Sequence, residues 1–422
     1  MTTTTVRCPQ REVSAFLRVP AVLEQRVLIL PSDRLRVDEA TLQVQSFANA
    51  PREVHSAEMQ PPRYEALQYD GAGHRPVATR RPWWNPRFWT RRVWTWLCAA
   101  AVVIVIVIAV AATVTKKKAY PDYSALNYSL QDTYAGETFF DQFNYRTGYD
   151  PAHGFVHYVP HAEATQRNLT YATPSAAVLR VDTAVGPQDN PNASTGRFSV
   201  RIESTKTYNG GLFILDVRHT PYACGAWPAL WLTDPYHWPD NGEIDIMESI
   251  NQGTAGNAMT LHTTGGCSMG VVRKQTGTAI QDNCDHSVDK NAGCGVQGPG
   301  PTYGATLNSA GGSVVAVEWR SAGIRMWQFA RNAVPADITS GKPNPAGWGV
   351  AAADFPGTDC DIGSHFKNHS IIANIDLCGD LVYGSWDKSG CPGTCQDLVA
   401  NQPDSFKTAY WEFGSFQVYQ PT

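Results

Sequence analysis

The chain has 422 residues, enough for one large domain or two smaller ones, and a net charge of −4. That figure conceals two opposed regions: residues 1–94 carry fourteen Arg, no Lys and nine acidic residues, whereas residues 119–422 carry seventeen basic against twenty-nine acidic residues, a balance of −12. Each phosphate or sulfate of a polyanion would meet like charge on the acidic region, which excludes nucleic acid as its partner and favours a neutral ligand.

From the N-terminus, residues 1–92 read as a largely disordered cytoplasmic tail, rich in scattered Arg and Pro, with one short helix expected over 13–30. In residues 97–114 only Thr113 and Cys98 are neither aliphatic nor Ala. Extended back to Val93, the run reaches the roughly 20 residues a helix needs to span a bilayer, predicting a transmembrane helix over 93–115. Trp94 and Trp96 stand where an interfacial belt would place them. A buried soluble helix is the competing reading; the β-branched run bracketed by Arg91-Arg92 and Lys116-Lys117-Lys118 speaks against it. A secretory signal would use Ala109-Val110-Ala111 for cleavage, but the long leader and long apolar stretch do not suit one, although translation from Met59 would shorten the leader. Secretion after cleavage therefore stays as the alternative to an uncleaved anchor.

Arg75, Arg80, Arg81, Arg87, Arg91 and Arg92 outnumber the three lysines after the span, which predicts a single-pass type II protein with residues 119–422 lumenal or extracellular. Eight of the ten cysteines lie in that region, an even number compatible with four disulfides, as do glycosylation sequons at Asn127, Asn168, Asn192 and Asn368. Cys391-Pro-Gly-Thr-Cys395 has a permissible zinc spacing, but without a second close pair a disulfide loop is expected instead.

From Tyr123 onward, short aromatic and β-branched runs alternate with Gly, Pro, Asn and Asp, the pattern of many strands joined by turns. Strands are expected over 199–203, 211–217, 229–232, 243–248, 259–263, 314–319, 324–329, 371–375 and 410–419, with a hairpin turning through Ser321-Ala322-Gly323. Helical periodicity is almost absent. The fold class predicted for residues 119–422 is all-β: one two-sheet β-jelly-roll sandwich with no separate binding module.

Within it, Glu243-Ile244-Asp245-Ile246 alternates acid and isoleucine, so both isoleucines enter the core while Glu243 and Asp245 share the opposite face. Adjacent like charges on one face cost stability, which makes function a better motive than solvation. Strict alternation would bury Glu248; a one-residue bulge around Ile246-Met247 would return it to the acidic face and bend the strand. The bend is needed, because Cα atoms five residues apart on a straight strand lie roughly 16 Å apart, far more than the about 5.5 Å carboxyl spacing of a retaining glycosidase. Calcium in an EF-hand loop is the rival use of these acids, but Asp240-Asn241-Gly242-Glu243-Ile244-Asp245 has its glycine in the wrong register. No cofactor or metal is called for.

The run Gly225-Ala226-Trp227-Pro228-Ala229-Leu230-Trp231-Leu232, followed by Trp238-Pro239-Asp240-Asn241-Gly242 and the acid motif, resembles glycoside hydrolase family 16, specifically its laminarinase-like endo-1,3(4)-β-glucanase branch. The likeness extends from about Tyr123 to the C-terminus, taking in Phe139-Phe140-Asp141 and Cys378-Gly379-Asp380. It implies a jelly-roll with an open cleft and a retaining mechanism: Glu243 the nucleophile, Glu248 the acid/base, Asp245 the auxiliary acid bonded to the nucleophile. It implies Trp231 and Trp238 as platforms for glucose, with Trp227 divided evenly between that and core packing. His262, Arg201 and Asn251 complete the expected substrate contacts. The substrate class is a neutral β-glucan, with hydrolysis expected, transglycosylation of wall glucan as the alternative, and a monomer as the working unit.

Overall fold

The computed structural model describes residue 84, residues 86–114 and residues 119–422. The expected helix over 13–30 lies outside the described residues, as does most of the expected tail. Residues Met1–Phe88 form a unit of their own, of which the described part includes one 3-10 turn, Pro86–Phe88.

Helix α1 runs Arg91–Val114, two residues further back than Val93, because Thr90 accepts from the Val93 N–H and opens the first turn before the apolar run. Its 24 residues extend about 36 Å. Over Arg91–Ile108 the mean hydropathy is 1.9, and large side chains such as Trp96 and Val105 stand exposed. By length and composition the helix can cross a membrane.

Two eight-stranded sheets follow. The cleft sheet runs, edge to edge, β13 (Thr278–Ala279), β14 (Cys294–Gln297), β12 (Ala258–His262), β11 (Glu243–Glu248), β10 (Ala226–Thr233), β18 (Ser370–Leu377), β8 (Arg201–Ser204) and β2 (Phe143–Tyr145). The back sheet runs β17 (Ala353–Pro356), β16 (Gly323–Ala330), β15 (Ser313–Arg320), β9 (Gly211–His219), β19 (Tyr410–Pro421), β6 (Ala177–Arg180) and β5 (Thr170–Ala172), with β1 (Tyr128–Ala135) also on β19. A small third sheet joins β3 (Gly148–Tyr149), β4 (Val156–Tyr158) and β7 (Arg197–Ser199). Chain order is heavily interleaved: β19, the last strand, lies between β9 and β6. The core therefore depends on long-range pairing.

Alternation explains the two layers. On β10, Leu230 and Leu232 point inward; on β18, Ile371, Ala373, Ile375 and Leu377 do; on β15, Val315, Val317 and Trp319 meet them from the back sheet. A second apolar cluster, Leu212, Ile214, Val314, Ala316 and Trp327, lies on the outer face of the back sheet, covered by Ile338 and Trp348.

The expected strand over 199–203 is two strands. Arg197–Ser199 pairs in parallel with β4, and the chain crosses to the cleft sheet at buried Val200, where Ser199 Oγ donates to the Ile375 carbonyl at 2.7 Å. The hairpin turns through Ser321-Ala322 alone, because Gly323 already pairs with Arg320. The disulfides are Cys224–Cys391, Cys267–Cys360, Cys284–Cys294 and Cys378–Cys395. Cys391 and Cys395 thus belong to two different bridges rather than to one local loop: Cys391 pairs across 167 positions and Cys395 across 17.

Candidate active site

Strand β11 pairs with β10 through Thr233↔Glu243 and Trp231↔Asp245, then slips so that Leu230 faces Met247 and Ala229 faces Glu248. On its other side Asp245 pairs with Thr260 and Glu248 with Ala258, leaving Ile246 and Met247 to share one partner position. The bulge therefore sits at the expected residues. Ile244, Ile246 and Met247 are all fully buried, while Glu243, Asp245 and Glu248 emerge on the outer face of the sheet.

That face is the floor of a cleft of about 500 Å³. Alternate residues of β10 contribute Trp227, Ala229, Trp231 and Thr233; β18 contributes Asn374 and Asp376; β8 contributes Arg201. Trp238, 43% exposed, stands on the rim. Its loop is held by Asp234, a buried carboxylate that accepts from Asn241, Asn368, His237 and the Tyr236 N–H at 2.8–3.0 Å. Burial alone would raise that carboxyl, but these donors bring it down to about 2.

Each acid has its own partner. The Trp227 indole N–H donates to Glu248 at 2.7 Å, and the Trp238 indole N–H donates to Glu243. Asp245 faces His262 Nε2 at 3.3 Å, and His262 Nδ1 bonds Asn291 Oδ1 at 2.8 Å. Burial and the Glu243 charge push the Asp245 carboxyl well above the usual carboxylate range. Burial raises Glu248 too, opposed by the Trp227 hydrogen bond. For His262, burial works against the charged form, yet the Asp245 contact and the charges of Glu243, Asp245 and Glu248 win, raising its imidazole to about 10. Ligand atoms of Glu243, Asp245 and His262 lie within 4.8 Å of one another, close enough to hold a cation. His262 faces Asp245 with Nε2, the nitrogen a cation would need, since Nδ1 is engaged by Asn291.

Trp231 donates to Asn374 Oδ1 at 2.8 Å and carries the Arg201 guanidinium 4.9 Å above its ring, while Arg201 Nε bonds Glu203 at 2.9 Å. Of the expected site residues, Glu243, Asp245, Glu248, Trp227, Trp231, Trp238 and Arg201 line one cavity, and His262 touches it through Asp245. Asn251 is not brought there. It is buried at the start of β10, its side-chain oxygen accepting from the Gly225 N–H at 2.9 Å, which commits it to backbone bracing.

Sequence reasoning missed Asn291, Asn374, Asp150, Asp376 and Asp380 among the lining residues. Asn374 and Asp376 alternate with core residues of β18, a signal that was available; Asn291 reaches the site through a loop and left none.

A sequence model of the XgeA-like catalytic GH16 domain matches residues 143–419. A probable glycosidase of Schizosaccharomyces pombe is 46% identical over 306 residues, 71% of this chain and 71% of its own length. An endo-1,3(4)-β-glucanase of Arthroderma benhamiae is 38% identical over 312 residues, 72% of this chain and 67% of its own. The chain is similar to the solved laminarinase 16A of Phanerochaete chrysosporium, seen with 6-O-glucosyl-laminaritriose in donor and acceptor sites, at 44% identity and a TM-score of 0.66, covering 70% of this chain and all of that one. It is also similar to an elongating GH family 16 β-1,3-glucosyltransferase, at 38% identity and a TM-score of 0.64, covering 69% of this chain and all of that one.

Proposed function

Because the chain belongs to glycoside hydrolase family 16, we propose that it is a retaining endo-β-glucanase acting on a neutral glucan. It cuts internal β-1,3 bonds, and β-1,4 bonds where the linkages are mixed. One observation carries the reading: the β11 bulge turns Glu243, Asp245 and Glu248 onto one cleft floor, with a separate indole donor on each glutamate.

The Glu243 carboxylate attacks the anomeric carbon as the glycosidic C–O bond breaks, and the Glu248 proton passes to the departing oxygen. Water then attacks the same carbon, Glu248 takes its proton, and the Glu243 ester is released. Burial keeps Glu248 protonated to higher pH than a free carboxyl, as the first step requires. Asp245, tied to His262, holds Glu243 in place, and Trp231, Trp238 and Trp227 offer apolar faces to glucose rings without needing charge on the ligand.

A second reading has support of its own. The likeness to the elongating glucosyltransferase, with a helix able to tether the enzyme beside its polymer, favours a transglycosylase that remodels wall glucan. The glycosyl-enzyme is common to both, so competition between water and a sugar acceptor separates them. In either case residues 119–422 are the catalytic domain, residues 93–115 a type II anchor and residues 1–92 a cytoplasmic tail. The four disulfides support a lumenal or extracellular catalytic domain, working as a monomer.

Digestion of laminarin and lichenan, read by anomeric NMR and product length, tests the proposal. Short reducing oligosaccharides of retained configuration support hydrolysis, and products longer than the donor support transfer. Glu243→Ala should abolish turnover, and Glu248→Ala should keep cleavage of substrates with good leaving groups, with azide restoring rate. Inverted products would overturn the assignment of both glutamates.

A further inference from the structure

Tyr120 and Tyr123, shortly after α1 in the chain, are fastened to the domain. Tyr120 Oη donates to Asp354 Oδ2 at 2.9 Å, and Tyr123 Oη reaches Asp354 Oδ1 at 3.5 Å. Asp354 lies fully buried on β17, the edge strand of the back sheet. The Lys274 ammonium stands 4.0 Å above the Tyr120 ring and the Arg325 guanidinium 4.1 Å above that of Tyr123. Gly323 makes room for this packing: a Cβ there would lie 2.0 Å from Tyr123 Oη. The chain therefore leaves the domain at a fixed place, the β16–β17 edge.

Six peptide steps separate Val114, the end of α1, from Tyr120, at most about 21 Å of extended chain. If α1 spans a bilayer, the edge that holds Tyr120 must stand within that distance of its surface. Around the same place Tyr120, Tyr123, Lys274, Arg325 and Val350 line a cavity of about 560 Å³. Val350 is 59% exposed and nearby Val272 is 62% exposed. Asp122 is the exposed acidic residue on this rim, against Lys274, in a region whose overall balance is −12. Exposed valines beside the Lys274 ammonium suit the boundary between acyl chains and headgroup phosphates.

We propose that the β16–β17 edge, with Val272, Lys274 and Val350, docks on the lipid surface that α1 enters, leaving the cleft on the outer face of the opposite sheet open to polymer. This rests on the reading of α1 as a membrane anchor. The test uses the full chain with Cys8→Ser and Cys98→Ser, reconstituted in vesicles of phosphatidylcholine and phosphatidylserine. Val272→Cys, Val350→Cys and Tyr236→Cys each carry one fluorophore, Tyr236 being 82% exposed near the cleft rim. Headgroup-nitroxide lipid should quench positions 272 and 350 about threefold more than 236, and Lys274→Glu should narrow the gap while turnover of soluble laminari-oligosaccharides stays unchanged. Chain that floats with the vesicles but is quenched equally at all three positions overturns the docking and leaves the anchor intact. Chain that fails to float overturns the anchor, and the docking with it.

Discussion

Trp227 and Trp238 each turn an indole N–H onto a glutamate of β11, and an indole donor keeps its proton across the whole working pH range. On Glu248 two influences oppose each other: burial favours the neutral acid, and the Trp227 bond favours the carboxylate. Activity that needs a protonated Glu248 is lost as pH rises through its pKa, so the alkaline limb of kcat/KM reports that group. Trp227→Phe keeps the ring but deletes the donor, and the carboxyl should then hold its proton longer. The alkaline limb should move upward by roughly one to two pH units, because a hydrogen bond to a charged group contributes about 1.5–3 kcal/mol. A pH profile on a soluble laminari-oligosaccharide checks this, and a downward move would contradict the role given to Glu248. The acids were legible in the sequence because three carboxylates in six residues are hard to explain by solvation. Asn291 was not, because its contact with His262 spans 29 positions and depends on a loop closed by Cys284–Cys294.

At the scale of the element, β11 does two incompatible things with one sequence. Its isoleucines fill the core on a period of two, and its last glutamate must still reach the outer face; the extra residue at Ile246-Met247 resolves the conflict. Inserting one Ala between Met247 and Glu248 should shift the phase by one residue and drive Glu248 into the core. The expected outcome is loss of turnover together with a fall in stability of several kcal/mol, about what an unpaired buried carboxyl costs. Thermal unfolding and activity assays on the insertion variant measure both, and retained activity would mean that the phase of β11 does not aim Glu248. The conflict of phase was visible in the sequence, as was α1, whose length alone identifies it. Strands such as β3 and β13 were not, since two residues carry no period and their partners lie far along the chain. The crossing at Val200 was hidden for a related reason: β7 and β8 read as one alternating run until β4 and β18 claim its two halves.

For the whole molecule, charge decides which polymers can enter. The cleft lining holds Arg146 and Arg201 against Asp150, Glu243, Asp245, Glu248, Asp376 and Asp380, and residues 119–422 carry a balance of −12 around it. Burial pushes the carboxyls of Asp245, Glu248 and Asp376 upward, so these three add little charge and the acidic field comes from the balance of residues 119–422 as a whole. A neutral glucan gives that field nothing to act on. Its KM should stay constant between low and high salt. A sulfated glucan of the same linkage would meet several like charges at about 10 Å, each worth about 0.4 kcal/mol in water, or about 2 kcal/mol together. Its KM should therefore lie about thirtyfold above that of the neutral polymer at low ionic strength and approach it near 1 M salt, where the Debye length is about 3 Å. Initial rates on matched neutral and sulfated laminarin across a salt series measure the effect. A sulfated polymer bound as tightly as the neutral one at low salt would show that local cations, Arg146 and Arg201 first among them, outweigh the acidic field in the cleft.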